Sequence, residues 1–292
     1  MDAVTAFLNS EVDTPVYVEL PAMWSENHKP VPADDVVCRL LRALYGLKQS
    51  PRLWQSKLSS TLYKLGFQPL KSDQCVYIKD SGIIIVTYVD DMLIIGKDLD
   101  AINHVKQSLA REFKIEDLGP AQYFLGVRIT RDWKKGTISL CQDSYIQKML
   151  ERFGLSNYNA KATPFPSGAK EFLVPFIGTA PKEDIAIYQQ YVGSLLYAIH
   201  TRADIALETG ILSRYLKNPS PQHIKLALHV FQYLKGTITL GTTYGGGKPG
   251  SEEMQLKGYS DADHAGDIAT SRSISGYVFF FAGGVISCHS KL

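Results

Sequence analysis

The sequence predicts an α+β fold in which an antiparallel sheet is backed by helices. Strand-like and helix-like stretches alternate over residues 1–140, and two apolar, mostly β-branched runs there, Ile83–Val89 and Met92–Gly96, are separated only by Asp90 and Asp91. Runs of this length and composition are typical of buried strands. An acidic pair between them predicts a β-hairpin with both acids at its tip.

The remaining elements of residues 1–140 have clear local signals. Pro51 stands where a helix could begin, leucines then recur at near-helical spacing, and Gly66 ends the pattern. The stretch from Leu99 to Phe113 carries its apolar residues on one helical face. The predicted elements are, in chain order, a strand at 14–20, a helix at 51–65, the hairpin at 83–96, a helix at 99–113 and a second hairpin at 123–140.

Residues 141–292 predict helices first and strands last. Residues 156–186 are rich in proline and glycine and predict a long surface linker. His223 and His229 lie six residues apart, a poor spacing for two ligands on one helix, so both are expected at the surface. The predicted elements are helices at 143–153, 187–216 and 223–234, a flexible glycine-rich joint at 245–250, and strands at 256–261, 274–281 and 285–289.

Composition limits the class of protein. The formal net charge is only +2, but the segment Cys38–Ser72 contains cations and no acid. Such stretches supply the sequence-independent attraction to phosphate that nucleic-acid-binding proteins need. The cations of Cys38–Ser72 are Arg39, Arg42, Lys48, Arg52, Lys57, Lys64 and Lys71. A second acid-free segment, Thr209–Ser251, carries Arg214, Lys217, Lys225, Lys235 and Lys248, and for this segment a solvated helix face is the alternative.

The cysteines and the hydropathy pattern exclude other classes. Cys38, Cys75, Cys141 and Cys288 are far apart and form no CxxC pair. This spacing argues against a zinc site and a disulfide framework, and it predicts reduced core cysteines in an intracellular protein, cytoplasmic or nuclear. Because no segment reaches the roughly 20 apolar residues of a membrane span, no membrane partner is expected.

The acidic pair indicates metal chemistry. Two ionised carboxylates side by side repel each other, and a divalent cation reverses that local electrostatic cost. Mg²⁺ prefers oxygen ligands and binds through one or two carboxylates plus water and substrate phosphates. The alternative is simple turn chemistry, because aspartate tolerates turn geometry well.

Three motifs then carry a resemblance to a known family. The segments Asp2–Leu8, Ala43–Trp54 and Tyr88–Asp91, taken together, resemble the reverse transcriptase of copia-type LTR retrotransposons. The similarity runs nearly end to end. Further matching segments are Phe113–Gly119, Tyr123–Gly126, Tyr191–Tyr197, Thr201–Ala206 and Gly258–Asp263.

The resemblance implies an RNA-directed DNA polymerase that adds dNTPs to a primer 3′-hydroxyl by two-metal nucleotidyl transfer. It assigns Asp2 and Asp90 as the metal ligands and Asp91 as an accessory ligand, with Mg²⁺ as the cofactor and Mn²⁺ as an alternative. The implied partners are dNTP, an RNA or DNA template-primer, and the rest of a retrotransposon polyprotein.

The resemblance also implies binding residues. Phe7 would exclude a ribose 2′-hydroxyl, Gly46 would let backbone approach the nucleotide, Lys48 would contact phosphate or template, and Tyr88 would support the template-primer end. Tyr123 and Gly126 belong to the strand pair that resembles the primer grip. The implied nucleic-acid-binding residues are Arg39, Arg42, Arg52, Lys57, Tyr123 and Gly126.

By the same resemblance, residues 1–140 form a polymerase palm with the fingers largely missing, and residues 141–240 form the thumb and connection. Residues 256–292 start a ribonuclease H domain, in which Asp261 matches the first metal-binding aspartate. A lone aspartate cannot hold two metals, so no nuclease activity is expected, and poor primer extension is expected without fingers. The apolar run Tyr277–Phe281 is expected to expose apolar surface.

Two other functions are consistent with parts of the pattern. A non-catalytic nucleic-acid-binding remnant would keep the basic segments and need no metal. A different palm-type nucleotidyltransferase would keep the carboxylates, but the segment Tyr45–Trp54 disfavours it. Magnesium-dependent primer extension distinguishes the polymerase from the remnant.

Overall fold

The computed structural model describes residues 1–20, 37–247 and 254–292. These residues form helices and antiparallel sheets, as the predicted α+β class requires. Contacts divide the chain into two compact units, Met1–Ala121 and Gln122–Leu292. Residues 248–250 of the predicted glycine-rich joint lie outside the described part of the chain.

The first unit is built on a six-stranded antiparallel sheet with the strand order β4-β5-β6-β7-β1-β8, and β2 pairs separately with β3. The helix and the hairpin predicted at 51–65 and 83–96 are both present. The elements of this unit are β1 (Asp2–Ala3), β2 (Tyr17–Glu19), β3 (Val37–Arg39), α1 (Ser50–Lys64), β4 (Gln68–Pro69), β5 (Val76–Ile78), β6 (Ile84–Tyr88), β7 (Asp91–Ile95), α2 (Leu99–Glu112) and β8 (Ile115–Glu116).

Local sequence explains both helices of this unit. Pro51 lies in the first turn of α1, where its missing N–H costs no helical hydrogen bond. Helix α1 ends before Gly66, whose φ of 85° suits glycine. The Asp98 side chain caps α2 by accepting a hydrogen bond from the Asp100 N–H (2.9 Å).

Both helices contribute to one core with one side of the sheet. Trp54 and Leu58 of α1 and Leu109 of α2 are fully buried together with Ile85 and Met92 of the central hairpin. Because side chains alternate across a strand, the neighbours of Ile85 and Met92 point to the opposite side. That open side of the sheet is only partly covered.

The second unit holds a four-stranded sheet in the order β12-β11-β10-β9 and a three-stranded sheet in the order β13-β14-β15. Its elements are β9 (Tyr123–Phe124), β10 (Val127–Asp132), β11 (Thr137–Cys141), α3 (Asp143–Arg152), α4 (Lys182–Ala198), α5 (Ala206–Ser213), α6 (Pro221–Gly236), β12 (Thr242–Gly245), β13 (Lys257–Ala262), β14 (Ser275–Phe281) and β15 (Gly284–Lys291). No helix of the described residues is long and apolar enough to cross a membrane.

Two predictions for the helical region are wrong. The stretch 156–186 is not wholly a surface linker, because a 3₁₀ turn at Ala169–Phe172 brings Ala169 and Leu173 into the helical core. His223 is fully buried instead of exposed. In both cases tertiary packing buries the residues. Proline content does not reveal the burial of Ala169 and Leu173, and ligand spacing does not reveal that of His223.

The single helix predicted at 187–216 is also wrong, since the structure has two helices, α4 and α5. Between them the fully buried Arg202 forms an ion pair with Asp204 (2.7 Å) and donates to the Thr237 carbonyl (3.0 Å). The Arg202 guanidinium thus binds Asp204 in the loop after α4 and Thr237 after α6. The backbone turns away from the axis of α4 in this loop. Hydrophobic periodicity cannot reveal such a buried arginine.

The C-terminal sheet packs on the rest of its own unit. The Tyr244 hydroxyl donates to the Val285 carbonyl (2.6 Å), and the Gly245 N–H donates to the Ala282 carbonyl (2.8 Å). A cavity of about 850 Å³ remains between α5 and this sheet. The predicted exposed apolar surface is present, because the side chains of Tyr277, Phe279 and Phe281 are 37–41% exposed.

The four cysteines are free thiols, as predicted. Their expected position in the core is correct only for Cys141, which is buried. Cys75 is exposed, and Cys38 and Cys288 are partly buried.

Candidate active site

The tip of the β6–β7 hairpin is a two-residue turn formed by Val89 and Asp90. Tyr88 pairs with Asp91, so Asp91 is already the first residue of β7. Val89 has a φ of 55°, which is strained for a β-branched residue. Its carbonyl accepts a hydrogen bond from the Trp54 indole N–H (2.6 Å), so helix α1 holds this turn from the core side.

The strand β1 brings Asp2 beside the hairpin. The backbone groups of Met1 and Met92 exchange two hydrogen bonds (3.0 and 2.9 Å), and the Ala3 N–H donates to the Asp90 carbonyl (2.9 Å). Asp2 therefore lies opposite Asp91 at a non-hydrogen-bonded position, where Cα atoms are about 4.5 Å apart and side chains share one face. Since Ala3 and Met92 are buried against the helices, Asp2 and Asp91 point to the open side of the sheet.

A third carboxylate on this face was not predicted. Glu116 of β8 pairs with Asp2 on its other edge, so Asp91, Asp2 and Glu116 form a row across three neighbouring strands. Strands of two residues, such as β1 and β8, are too short to show periodicity. The only sequence signal was the acidic residue within the matching segment Phe113–Gly119.

The site is rich in negative charge, which the Met1 ammonium offsets in part. Burial raises the pKa of Asp2, and the nearby carboxylates of Asp90, Asp91 and Glu116 raise it further in that order. None of the ion pairs formed by the described residues involves these four acids. The arrangement therefore favours a bound cation electrostatically.

The donor chemistry fits a hard divalent cation. Asp2 and Asp91 present carboxylates on one face, and Asp90 lies in the adjacent turn, near enough to raise the pKa of Asp2. Within 1–20, 37–247 and 254–292, no three His, Cys, Asp or Glu side chains are arranged to hold one metal ion. One or two carboxylates with water and substrate phosphates are sufficient for Mg²⁺, so the carboxylates fit such an ion without a complete protein cage.

Phe7 is held rigidly near the start of the first unit. It lies in a 3₁₀ turn at Ala6–Asn9, is 8% exposed, and its ring centroid is 4.5 Å from that of Tyr45. Gly46 follows with a φ of 96°, and an added Cβ there would meet nothing within 4 Å. The conformation, not crowding, therefore requires glycine at this position.

Lys48 and Tyr88 are both exposed on the first unit. They are available to a ligand in solution.

Three of the predicted phosphate-binding cations contact residues of the segment 8–13. Arg42 donates to the Leu8 carbonyl (3.1 Å), Lys57 donates to the Asn9 carbonyl (2.7 Å), and Arg52 forms an ion pair with Asp13. These three exposed side chains thus surround the segment 8–13 and hold it in place. Arg39 is exposed on β3.

The predicted primer-binding residues lie in the second unit. Tyr123 is 56% exposed on β9. Leu125 and Gly126, with φ values of 49° and 75°, form the turn to β10, and the Tyr197 hydroxyl donates to the Leu125 carbonyl. This contact fixes the turn against helix α4.

Asp261 lies on β13 with an exposed side chain, and its carboxylate accepts a hydrogen bond from the Ala262 N–H (2.8 Å). In the part of the chain that the structure describes, it belongs to no group of side chains arranged around a metal ion. Its predicted role as a ribonuclease H remnant stays a prediction.

Comparisons with known proteins agree on one family. A family model described as reverse transcriptase (RNA-dependent DNA polymerase) matches residues 1–167. The chain is 39% identical over 301 residues to the retrovirus-related Pol polyprotein from transposon TNT 1-94 of Nicotiana tabacum, with 100% of this chain and 22% of that protein covered. It is 33% identical to a transposon Ty5-1 protein of Saccharomyces cerevisiae, with 100% of this chain and 92% of that protein covered.

A further relative is the Pol polyprotein from transposon RE2 of Arabidopsis thaliana, at 33% identity with 100% of this chain and 19% of that protein covered. The chain therefore spans about a fifth of the length of the two plant polyproteins, at 22% and 19%. It corresponds to nearly the whole of the yeast protein.

Proposed function

Because the chain belongs to the reverse transcriptase (RNA-dependent DNA polymerase) family, we propose that it carries the nucleotidyl-transfer centre of a copia-type Pol polyprotein. In the proposed reaction a primer 3′-hydroxyl loses its proton and bonds to the α-phosphorus of a dNTP on an RNA template, and pyrophosphate leaves. One observation carries this proposal: Asp2 and Asp91 lie opposite each other on the open face of the sheet, beside Asp90 in the turn.

Asp2, Asp90 and Asp91 would hold Mg²⁺, or Mn²⁺ in its place. The bound cation would neutralise triphosphate charge and lower the pKa of the attacking hydroxyl. The protein supplies rigidity: β1 is hydrogen-bonded on both edges, and Trp54 holds the carbonyl of the turn. The carboxylates are thereby presented before substrate arrives, which reduces the cost of assembling the site.

The proposed nucleotide pocket uses Phe7, Gly46, Lys48 and Tyr88. The buried Phe7 ring packs against Tyr45, and this ring would occupy the space of a ribose 2′-hydroxyl. Gly46 offers open backbone to the nucleotide, Lys48 would contact phosphate, and the exposed Tyr88 would support the template-primer end.

Nucleic acid would bind through the predicted phosphate-binding cations and through the predicted primer-binding residues. We assign phosphate contacts to Arg39, Arg42, Arg52 and Lys57, and primer contacts to Tyr123 and Gly126. Residues 1–140 would act as the palm, 141–240 as the thumb and connection, and 256–292 as the start of a ribonuclease H domain. The remaining parts of the polyprotein are the proposed protein partners.

The proposal is tested by primer extension on an RNA template with Mg²⁺. Asp90→Asn should lower extension at least about 100-fold, because it removes charge from the proposed metal site. Asp80→Asn is the matched control, since Asp80 is an exposed aspartate in the loop before β6 of the same sheet. Mn²⁺ binding, followed by electron paramagnetic resonance, should weaken in Asp90→Asn and not in the control.

Measurable extension by the wild type that is equal in Asp90→Asn would contradict the proposed mechanism. If the wild type extends poorly, the Mn²⁺ measurement tests the same site. Salt-sensitive nucleic-acid binding without extension, and without Mn²⁺ binding that depends on Asp90, would instead favour the non-catalytic remnant. The two functions are thus separated by the same set of proteins.

A further inference from the structure

The turn between β10 and β11 presents an exposed tryptophan. Trp133 is 81% exposed, and it belongs to neither hydrophobic core of the described residues. Trp54, by contrast, is 1% exposed in the core of the first unit. Burial in this chain's own fold therefore gives no reason for a large aromatic side chain at position 133.

The turn that carries Trp133 is well ordered by its own hydrogen bonds. The backbone N–H groups of Lys134 and Lys135 both donate to one carboxylate oxygen of Asp132 (3.0 Å each). Gly136 has a φ of 65° and completes the return to β11. The backbone therefore presents Trp133 in one defined position.

One cation lies against the indole, and two more follow it in the sequence. The Arg131 guanidinium carbon is 5.3 Å from the ring centroid, which is a cation–π distance. Lys134 and Lys135 follow directly, and the Lys135 side chain is 78% exposed, 3.8 Å from Asp132. Residues 131–135 thus combine three cations, one acid and one exposed aromatic ring.

Resting on the proposed function for its nucleic-acid substrate, we propose that the hairpin tip 131–135 binds single-stranded nucleic acid. Trp133 stacks on an unpaired base, and Arg131, Lys134 and Lys135 contact the flanking phosphates. Sequence-tolerant single-strand binding uses this combination of aromatic stacking and backbone attraction.

Two features favour a single strand over other partners. Bases inside a duplex are already stacked, so the free face of Trp133 requires an unpaired base. Protein interfaces are enriched in tryptophan and arginine but depleted in lysine, whereas the tip places Lys134 and Lys135 next to the ring. The tip lies outside the residues that the resemblance assigned to nucleic-acid binding.

The test measures binding by the full chain without Mg²⁺ or dNTP. The probe is a fluorescein-labelled oligodeoxythymidylate of about 12 nucleotides, compared with a blunt DNA duplex. Trp133→Ala should weaken single-strand binding roughly 5- to 150-fold, and Trp133→Phe should retain most of it. Tyr158→Ala is the control, because Tyr158 is an exposed aromatic residue of the same unit.

The charge contribution has a separate readout. The double variant Lys134→Ala/Lys135→Ala should reduce the slope of log K against log salt by about 1.4, since each phosphate contact contributes about 0.7 on a single strand. Lys148→Ala/Lys182→Ala, at two exposed lysines on helices α3 and α4, should leave the slope unchanged.

Binding of the oligonucleotide by Trp133→Ala within about twofold of the wild type would overturn the proposal, as would an equal loss on the blunt duplex. A change in oligomeric state of Trp133→Ala, by light scattering, without a change in binding would identify a protein contact instead. If binding depends on Trp133 but extension does not depend on Asp90, only the proposed function fails. If the wild type binds no nucleic acid, both fail.

Discussion

At the scale of single residues, the hydrogen bonds of the buried His223 ring select one tautomer. Its Nδ1 accepts a hydrogen bond from the Ser220 N–H (3.0 Å), so Nε2 carries the proton and donates to the Phe172 carbonyl (2.9 Å). The ring is stacked 3.9 Å from that of Tyr215. Burial lowers the pKa of His223 below its ordinary value of 6.5.

This geometry predicts acid sensitivity of the helical core. With the folded pKa below the unfolded one, the unfolded state binds more protons in the window between them, and stability is lost as pH falls below about 6.5. We expect the wild-type Tm to fall more than that of His223→Gln between about pH 7.5 and 5.5. Differential scanning fluorimetry measures this difference.

The control is His104→Gln, because His104 is exposed on α2. Its Tm should follow pH as the wild type does. A pH dependence of His223→Gln equal to that of the wild type would show that other groups cause the effect.

The burial of His223 could have been predicted from the sequence by examining helical periodicity instead of ligand spacing. The spacing of His223 and His229 tests for a metal pair, not for burial. Helical periodicity places His223 on the face of Leu226, Ala227 and Val230, which are all buried. The acidic row of Asp91, Asp2 and Glu116 was only partly predictable, since pairing between distant short strands has no local signal.

At the scale of elements, the hairpin and helices α1 and α2 follow from local sequence. Each has enough residues for its apolar period to be visible, and α2 has an aspartate cap besides. The turn at Val89 depends on more than local sequence. Its strained backbone is held by a hydrogen bond from Trp54, which lies 35 residues earlier in the chain.

The hydrogen bond from Trp54 to the Val89 carbonyl predicts a measurable effect of Trp54→Phe. The phenyl ring keeps most of the apolar packing but cannot donate to the Val89 carbonyl. The free energy of unfolding should fall by about 1 kcal/mol or more, because one hydrogen bond is lost and some volume is removed. Chemical denaturation measures the loss, and primer extension should fall with it if the turn positions Asp90.

Trp133→Phe is the matched control, because it makes the same change at an exposed site. Its free energy of unfolding should stay within about 0.5 kcal/mol of the wild type. Equal stability of both variants would show that the indole hydrogen bond does not hold the turn.

At the scale of the whole molecule, the chain's contacts divide it after Ala121, whereas the resemblance places the end of the palm at residue 140. The difference involves the strands β9–β11. They group with the second unit because β11 pairs with β12, about 100 residues later in the chain. Such a long-range pairing carries no local sequence signal, so only the structure reveals it.

The C-terminal sheet is joined to the helical core of its unit by an ion pair between the exposed Arg214 and the buried Asp267. Arg214, at the end of α5, binds both carboxylate oxygens of Asp267 (2.7 and 3.0 Å). Asp267 lies in the loop between β13 and β14, its side chain is 3% exposed, and the arginine lowers its pKa to about 2. The Thr270 N–H donates to the same carboxylate (3.0 Å).

Removal of the arginine should release this sheet before the helical core unfolds. Arg214→Met leaves the buried Asp267 carboxylate without its cation, and loss of the partner of a buried polar group costs about 1–3 kcal/mol. Amide hydrogen exchange should therefore become faster across residues 257–291 and stay slow in α6.

Lys217→Met is the control, since Lys217 is an exposed cation three residues later. The double variant Arg214→Met/Asp267→Leu should recover much of the protection, because no unpaired charge remains buried. Equal exchange rates in Arg214→Met and the wild type would mean that backbone contacts such as Gly245 to Ala282 hold the sheet by themselves.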